Sequence, residues 1–413
     1  MPEEQPPRAF SGAADGPAGL TGSTRSTGSS RFTGSTGSTR SRAAGASPLG
    51  AGAARRRRRR GLAVVAWAAA SLVLLGAGGA GYLYYRLDGN LRRVDIDGAL
   101  GRDRPADLGN GSMDVLVLGS DSRSGANRAY GHDSGTARSD TAMIVHLDKG
   151  HTAAGVVSIP RDTLVPRPSC RRIRGGGTEP ATPQAMFNTA YEIGGPVCAV
   201  KTVEKLTGIR MDHYVEVDFT GFKRLVDALG GVPVTTTAPI HDVKSHLSLP
   251  AGTHQLDGEQ ALGLVRTRHG VADGSDLGRI ELQQAFMGAL LDRVSGVGLL
   301  DSPAKLFSVA DTATKAVTTD TGLGSVRKLM GLADSVRGLD SAHVRMVTLP
   351  VRYAASDPNR VQPIEARAAM VWAALKADRP IPAAATEGSI AEKTGGTPLV
   401  DSPSPAPTPS KGD

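Results

Sequence analysis

The sequence predicts an α/β chain: a three-layer α/β/α sandwich around a mixed, mainly parallel sheet, preceded by one transmembrane helix. Three observations carry this expectation. Short apolar runs alternate with helical stretches between residues 113 and 375, the pattern of strands joined by crossover helices. Polar residues gather beside those runs, where α/β sheets bind their ligands. Upstream, Gly61 to Tyr85 is a run of 25 residues without one charge. At 1.5 Å per residue it makes a helix of about 37 Å, enough to cross a hydrocarbon core of about 30 Å.

Along the chain, Met113–Leu118 reads as a strand buried on both faces and stopped by Gly119. Thr141–Leu147 and Ala153–Ile159 read as two more strands. Phe187–Ile193 and Val200–Leu206 read as helices, with Gly208 as a stop. His213–Phe219 is an expected strand, Gly221–Leu229 a helix ended by Gly230 and Gly231, and Val232–Thr236 another strand. Gly258–Leu264 is a short helix leading into Val265, Arg266, Thr267 and Arg268. Leu277–Val294 is a long helix with Ile280, Phe286, Met287, Leu290, Leu291 and Val294 on an apolar side. Val326–Leu332 and Glu365–Leu375 suggest helices, and His343–Leu349 a strand.

Charge divides the chain. Residues 1–87 hold 12 Lys/Arg against 3 Asp/Glu, a net of +9, whereas residues 88–413 hold 36 against 37, a net of −1. A basic nucleic-acid-binding body is therefore excluded, and no nucleic acid is expected as a partner. Two cysteines at a spacing that fits no ligand pattern exclude a zinc-cysteine module. Residues 1–60, rich in Gly, Ser, Thr, Arg and Ala, bury too little to order themselves and read as a disordered basic segment ending in Arg55–Arg60. Residues 61–85 follow as the membrane span, with Tyr82, Tyr84 and Tyr85 at an interface. The positive-inside rule keeps the six arginines in the cytoplasm and sends the body outside. The expected localisation is thus the cytoplasmic membrane, single-pass, N-terminus inside. An oxidising exterior favours a disulfide between Cys170 and Cys198, the alternative being two unpaired small residues. Residues 86–111 read as a linker, 112–295 and 296–378 as a main domain and a C-terminal extension packing on it, and 379–413 as a disordered tail rich in Pro, Ala, Ser and Thr.

Asp121, Arg123, Arg138, Asp140, Arg161 and Asp162 fall within 42 residues, each in a turn beside an apolar strand. Arg266 and Arg268 are two apart, so an extended segment would project them to one face. Arg279 and Gln283 are one helical turn apart, with Asp276 just ahead. Several arginines with a few carboxylates suit a diphosphate: the planar guanidinium matches phosphate oxygens bidentately. Two nearby carboxylates suit Mg²⁺, which completes its octahedron with water and phosphate oxygens. Taken singly, each Arg/Asp pair also fits an ordinary surface ion pair. There is no P-loop, no GxSxG and no paired His on a helix; His132, His213 and His269 read as surface or structural.

The segments DVLVLGSDSR (114–123), ARSDTAMIVHL (137–147), VVSIPRDTLV (156–165), FNTAYEIGG (187–195), LDGEQALGLVRTRH (256–269) and DLGRIELQQ (276–284) resemble, in content and order, the LytR-CpsA-Psr family of cell-envelope glycopolymer ligases. They span about residues 112–295, which makes that stretch the expected catalytic domain. The resemblance implies transfer of a glycopolymer from a polyprenyl diphosphate carrier to a peptidoglycan hydroxyl, leaving a phosphodiester and releasing polyprenyl phosphate. It implies Mg²⁺, or Mn²⁺, held at Asp121 and Asp140. It implies diphosphate contacts from Arg123, Arg138, Arg161, Arg266, Arg268, Arg279 and Gln283, with Asp276 a further catalytic position, and membrane lipid in an apolar tunnel. Asp276 and Asp162 both remain open as the base. The insert Arg171–Thr178 departs from the pattern. Alternative functions are a polyprenyl diphosphate hydrolase, a membrane-bound transcriptional attenuator and a non-catalytic wall-binding module.

Overall fold

The computed structural model describes residues 67, 71, 73–74, 76–120, 139–268, 276–298, 302–390 and 400–401, with only the backbone of Asp140, Asp276, Val400 and Asp401. Seven strands form the central sheet: β1 (Arg92–Val94), β2 (Met113–Ser120), β3 (Ser139–Leu147), β4 (Ala154–Ile159), β5 (His213–Asp218), β6 (Val317–Asp320) and β7 (Val344–Thr348). Their order is β1-β6-β5-β2-β3-β4-β7. Pairs β1/β6, β2/β5 and β4/β7 are parallel, and β5/β6, β2/β3 and β3/β4 antiparallel. The mixed sheet is as expected, but it is evenly mixed rather than mainly parallel. The connection lengths explain this in part. Only residues 148–153 join β3 to β4, and a parallel crossover needs a dozen or more. Asp148 closes that turn by accepting the N–H groups of Thr152 at 2.7 Å and Ala153 at 2.9 Å.

Among the described residues, eight helices besides residues 76–90 accompany the sheet: α1 (Ile96–Leu100), α2 (Phe187–Thr207), α3 (Phe219–Ala228), α4 (Gly258–Arg266), α5 (Asp276–Gly296), α6 (Pro303–Ala316), α7 (Val326–Ser335) and α8 (Glu365–Lys376). Strand alternation sorts them into layers. Leu116, Leu118, Ile144, Val157 and Ile159 join Tyr191, Val200 and Val203 of α2 and Val371, Trp372 and Leu375 of α8 in one buried core. On the opposite face, Gln284 of α5 donates to Ser158 Oγ at 3.1 Å and Thr348 Oγ1 at 3.3 Å. A second core gathers Val226, Val234, Leu249, Leu256, Leu264, Leu282 and Phe286 from α3, α4, α5 and the short strands Val232–Thr236, Leu247–Leu249 and Gly252–Leu256. The two helices expected within 187–206 form one element that breaks at Gly195, whose φ is 61°, followed by Pro196. That left-handed backbone is open to glycine, and the proline has no N–H to carry the helix on.

Cys170 and Cys198 form the disulfide, with Cα atoms 5.6 Å apart. It fastens the insert, an ordered hairpin of Cys170–Arg171 paired with Thr178–Glu179, to α2. Gly194 permits the approach: a Cβ there would lie 2.5 Å from Cys198 Cβ and 3.0 Å from the Arg171 carbonyl oxygen. At the start of the chain's body, Arg104 is buried against Glu204 (2.5 Å) and also pairs with Asp97.

The expected divisions at 111 and 295 are not divisions of the sheet. The expected linker supplies β1, and residues 296–378 supply β6, β7 and α8. β1 and its neighbour β6 are short and polar, RRV and VTTD, so they give no apolar run to read. Of the expected tail, residues 379–390 are packed: Ile381 and Ala385 are buried, and Ser389 Oγ accepts the Val351 N–H at 3.2 Å. Of the expected span, residues 61–66, 68–70, 72 and 75 lie outside the described residues; residues 76–90 are helical. Among the described residues no helix is long and apolar enough to cross a membrane.

Three outcomes are expected. Glu204→Gln leaves the Arg104 charge buried with a weakened partner set, and denaturant titration should show a loss of roughly 3–5 kcal/mol. Reducing the Cys170–Cys198 bridge, which closes 28 residues, should cost about 3–4 kcal/mol in the same assay. His146 lies between Asp114 (2.9 Å) and Asp378 (3.3 Å); burial lowers its pKa, but those two carboxylates outweigh burial and raise it above 6.5. Its stabilisation is therefore complete below about pH 6.5 and is lost as pH rises through the raised folded value. Melting curves of His146→Asn should lack that slope.

Candidate active site

One cavity of about 430 Å³ opens at the carboxyl end of β2, lined by Gly119, Thr141, Phe219, Asp242, Lys244, Ser245, Val265, Arg266, Arg268, Arg279 and Gln283. Gly119 and Thr141 are register partners on β2 and β3, so the cavity floor is the sheet itself. Its walls come from four other pieces of chain. Phe219 opens α3, whose N-terminus is capped by Asp218 accepting the Gly221 N–H at 2.7 Å. Val265 and Arg266 end α4, a helix begun by a reciprocal cap between Asp257 and Gln260. Arg279 and Gln283 stand one turn apart on α5. Asp242, Lys244 and Ser245 come from the turn between Ile240–Asp242 and Leu247–Leu249.

Local packing aims these side chains. Thr267 leaves the helix with φ −59° and ψ 134° and is buried. Its hydroxyl donates to the Gly263 carbonyl at 2.9 Å and lies 2.9 Å from Ser245 Oγ. With Thr267 turned inward, Arg266 and Arg268 flank it and both reach the cavity. The expected extended segment is thus corrected at one position: Arg266 is the last residue of α4, not part of a strand. The Arg266 guanidinium sits 5.0 Å from the centroid of the Phe219 ring, a cation–π contact that limits its wandering. Arg279 is only 4% exposed, so its charge acts through a medium less screening than water. Gln283 donates to the Val265 carbonyl at 2.9 Å, tying α5 to the end of α4.

Four cations and one carboxylate therefore line the cavity, and the carboxylate is engaged by backbone: Asp242 accepts N–H groups from Lys244 and Arg268, each at 2.9 Å. Such a lining attracts a compact anion with several oxygens, such as a diphosphate.

Of the residues singled out in the sequence, the structure brings Arg266, Arg268, Arg279 and Gln283 together. Arg161 is absent from the cavity wall; it follows β4 and lies 3.4 Å from Asp162, which is also 3.6 Å from Arg360. Asp121, Arg123 and Arg138, with His132 and His269, lie outside the described residues. Asp140 is the second residue of β3 and Asp276 the first of α5, each with backbone only. His213 is structural, 3.2 Å from Asp320. Sequence reasoning passed over Phe219, Asp242, Lys244 and Ser245. Phe219 reads as the end of a strand, and the strands flanking 242–247 are three residues each, too short to show a period.

The sequence model of the LytR_cpsA_psr family matches residues 83–377. The cell wall biosynthesis protein LcpA of Corynebacterium glutamicum is 32% identical over 307 residues, 68% of this chain and 58% of that protein. The polyisoprenyl-teichoic acid–peptidoglycan teichoic acid transferase TagT of Bacillus subtilis is 32% identical over 289 residues, 67% of this chain and 83% of that protein. Among solved structures, the LytR-Csp2A-Psr enzyme from Actinomyces oris superposes with a TM-score of 0.51 at 23% identity, over 69% of this chain and 96% of that one. The chain thus spans less than two thirds of LcpA's length and most of TagT's. With a family match running from the last turns of the N-terminal helix to the end of α8, the chain belongs to the LytR_cpsA_psr family.

Proposed function

We propose that this chain is a membrane-anchored phosphotransferase on the outer face of the cytoplasmic membrane. It moves a glycopolymer from a polyprenyl diphosphate carrier to a peptidoglycan hydroxyl. The observation that carries the proposal is the convergence of Arg266, Arg268 and Arg279 on one cavity at a strand's carboxyl end, in a chain 32% identical to a protein named as a teichoic acid transferase. The anchored, outward topology rests on the six arginines that precede the uncharged run.

The acceptor hydroxyl oxygen bonds to the phosphorus that carries the glycan, and the bond from that phosphorus to the bridging oxygen of the diphosphate breaks. The leaving group is polyprenyl phosphate, and the hydroxyl proton passes to a base. Phosphoryl transfer of this kind needs positioning and charge neutralisation more than a covalent partner. Arg279, sheltered from water, stabilises the charge that grows on the leaving phosphate. Arg266, braced on Phe219, and Arg268, fixed at its backbone, orient the diphosphate oxygens. Gln283 keeps α5 and α4 in step.

The reading includes a divalent cation held by the carboxylates of Asp121 and Asp140, which follow Ser120 and Ser139 in the sequence. Two hard oxygen donors fit Mg²⁺, which when bound supplies neutralising charge at the diphosphate.

The test uses the full chain in detergent with a polyprenyl diphosphate oligosaccharide, Mg²⁺ and peptidoglycan fragments, following products by mass spectrometry. Polyprenyl monophosphate and a glycan–phosphate–peptidoglycan adduct should appear together. EDTA and Asp140→Ala should abolish both, and Arg279→Ala should slow them by roughly 10²–10³-fold. Monophosphate without adduct would mean hydrolysis. Glycan binding without any lipid product would mean a binding module.

A further inference from the structure

The turn that carries Asp242 and Lys244 forms one wall of the cavity. Asp242 is 2% exposed, and both of its oxygens accept backbone N–H groups. Oδ1 accepts the Lys244 N–H at 2.9 Å and the Ser245 N–H at 3.4 Å, and Oδ2 accepts the Arg268 N–H at 2.9 Å. A single carboxylate therefore joins a hairpin turn to a segment 26 residues farther on, and the Ser245–Thr267 hydroxyl contact at 2.9 Å repeats the link. Burying a carboxylate is costly unless hydrogen bonds compensate it, and these three go to chain segments that carry cavity cations.

Lys244 itself is exposed, and it lines the same cavity as Arg266, Arg268 and Arg279. A lysine ammonium is a compact charge on a flexible stem, with three donors and no required plane. The arginines fix phosphate oxygens in a set geometry; a lysine at the rim can follow an anion as it enters.

Resting on the diphosphate reading above, we propose that Lys244 is a further anion contact of this site and that Asp242 is the positioning residue holding Lys244 and Arg268 toward the same ligand. Lys244 acts at the exposed rim, so its contribution falls on binding rather than on the chemical step. Asp242 acts through the backbone N–H groups it holds, those of Lys244, Ser245 and Arg268.

Isothermal titration calorimetry of the full chain in detergent, with farnesyl diphosphate as the probe and melting curves as a folding control, tests this. Lys244→Ala should weaken binding about 10-fold, and Lys244→Arg should restore most of it. Turnover should show the loss in KM with kcat little changed. Asp242→Asn, nearly isosteric, replaces an acceptor by a donor. It should weaken binding, and the double variant with Lys244→Ala should bind no worse than about the weaker single variant, because the two act through one contact. Wild-type affinity in Lys244→Ala, together with loss in Arg279→Ala, overturns the role of Lys244 and leaves the diphosphate reading standing. Additive losses in the double variant overturn the positioning role of Asp242. Unchanged affinity in Arg279→Ala overturns the diphosphate reading itself and this proposal with it.

Discussion

Helix α5 has to satisfy two cores at once, and the arrangement of the site follows from that. Leu277 and Ile280 belong to the core against the central sheet, whereas Leu282, Phe286 and Ala289 belong to the core built with α3 and α4. A helix with apolar contacts on two sides has little polar surface left. Part of what remains is the stripe from Arg279 to Gln283, at the seam where the two cores meet. The cavity is that seam. Because both cores grip the helix, neither Arg279 nor Gln283 can shift without disturbing packing that holds the whole body together.

The same constraint accounts for a cationic cavity in a chain body of nearly zero net charge. Residues 88–413 sum to −1, yet the described cavity wall carries four cations and a carboxylate turned to the backbone. Two of these cations are anchored locally. Arg266 rests on an aromatic face, and Arg268 is tied by its backbone. A site assembled in this way is preorganised, which is what phosphoryl transfer asks of a protein.

Much of this was legible in the sequence, and the gaps have physical causes. Strands β2, β3 and β4 are continuous apolar runs, and such runs announce themselves. Helix α5 follows from its apolar side, and α4 from the short apolar stretch that leads into Val265 and Arg266. Arg279 and Gln283 were readable as a pair because helical spacing fixes which residues share a face. Edge strand β1 and its neighbour β6 were not readable, since RRV and VTTD carry no apolar pattern and the two pair across more than 200 residues. The even mixture of strand directions was missed because a strand's polarity is set by connection length and sheet order, not by composition. Lys244 and Asp242 were missed because a short hairpin turn gives no period, and its place in the site exists only once α4 and α5 are packed.

The two edges of the sheet have a consequence of their own. β1 is three residues long with two arginines, and β7, at the other edge, carries the exposed Arg345. An open edge is a row of unpaired backbone groups that can recruit a strand from a neighbouring molecule. Brevity and positive charge repel that neighbour, which would bring the same charges to the seam. The sheet therefore ends in a way that discourages two copies from stitching together.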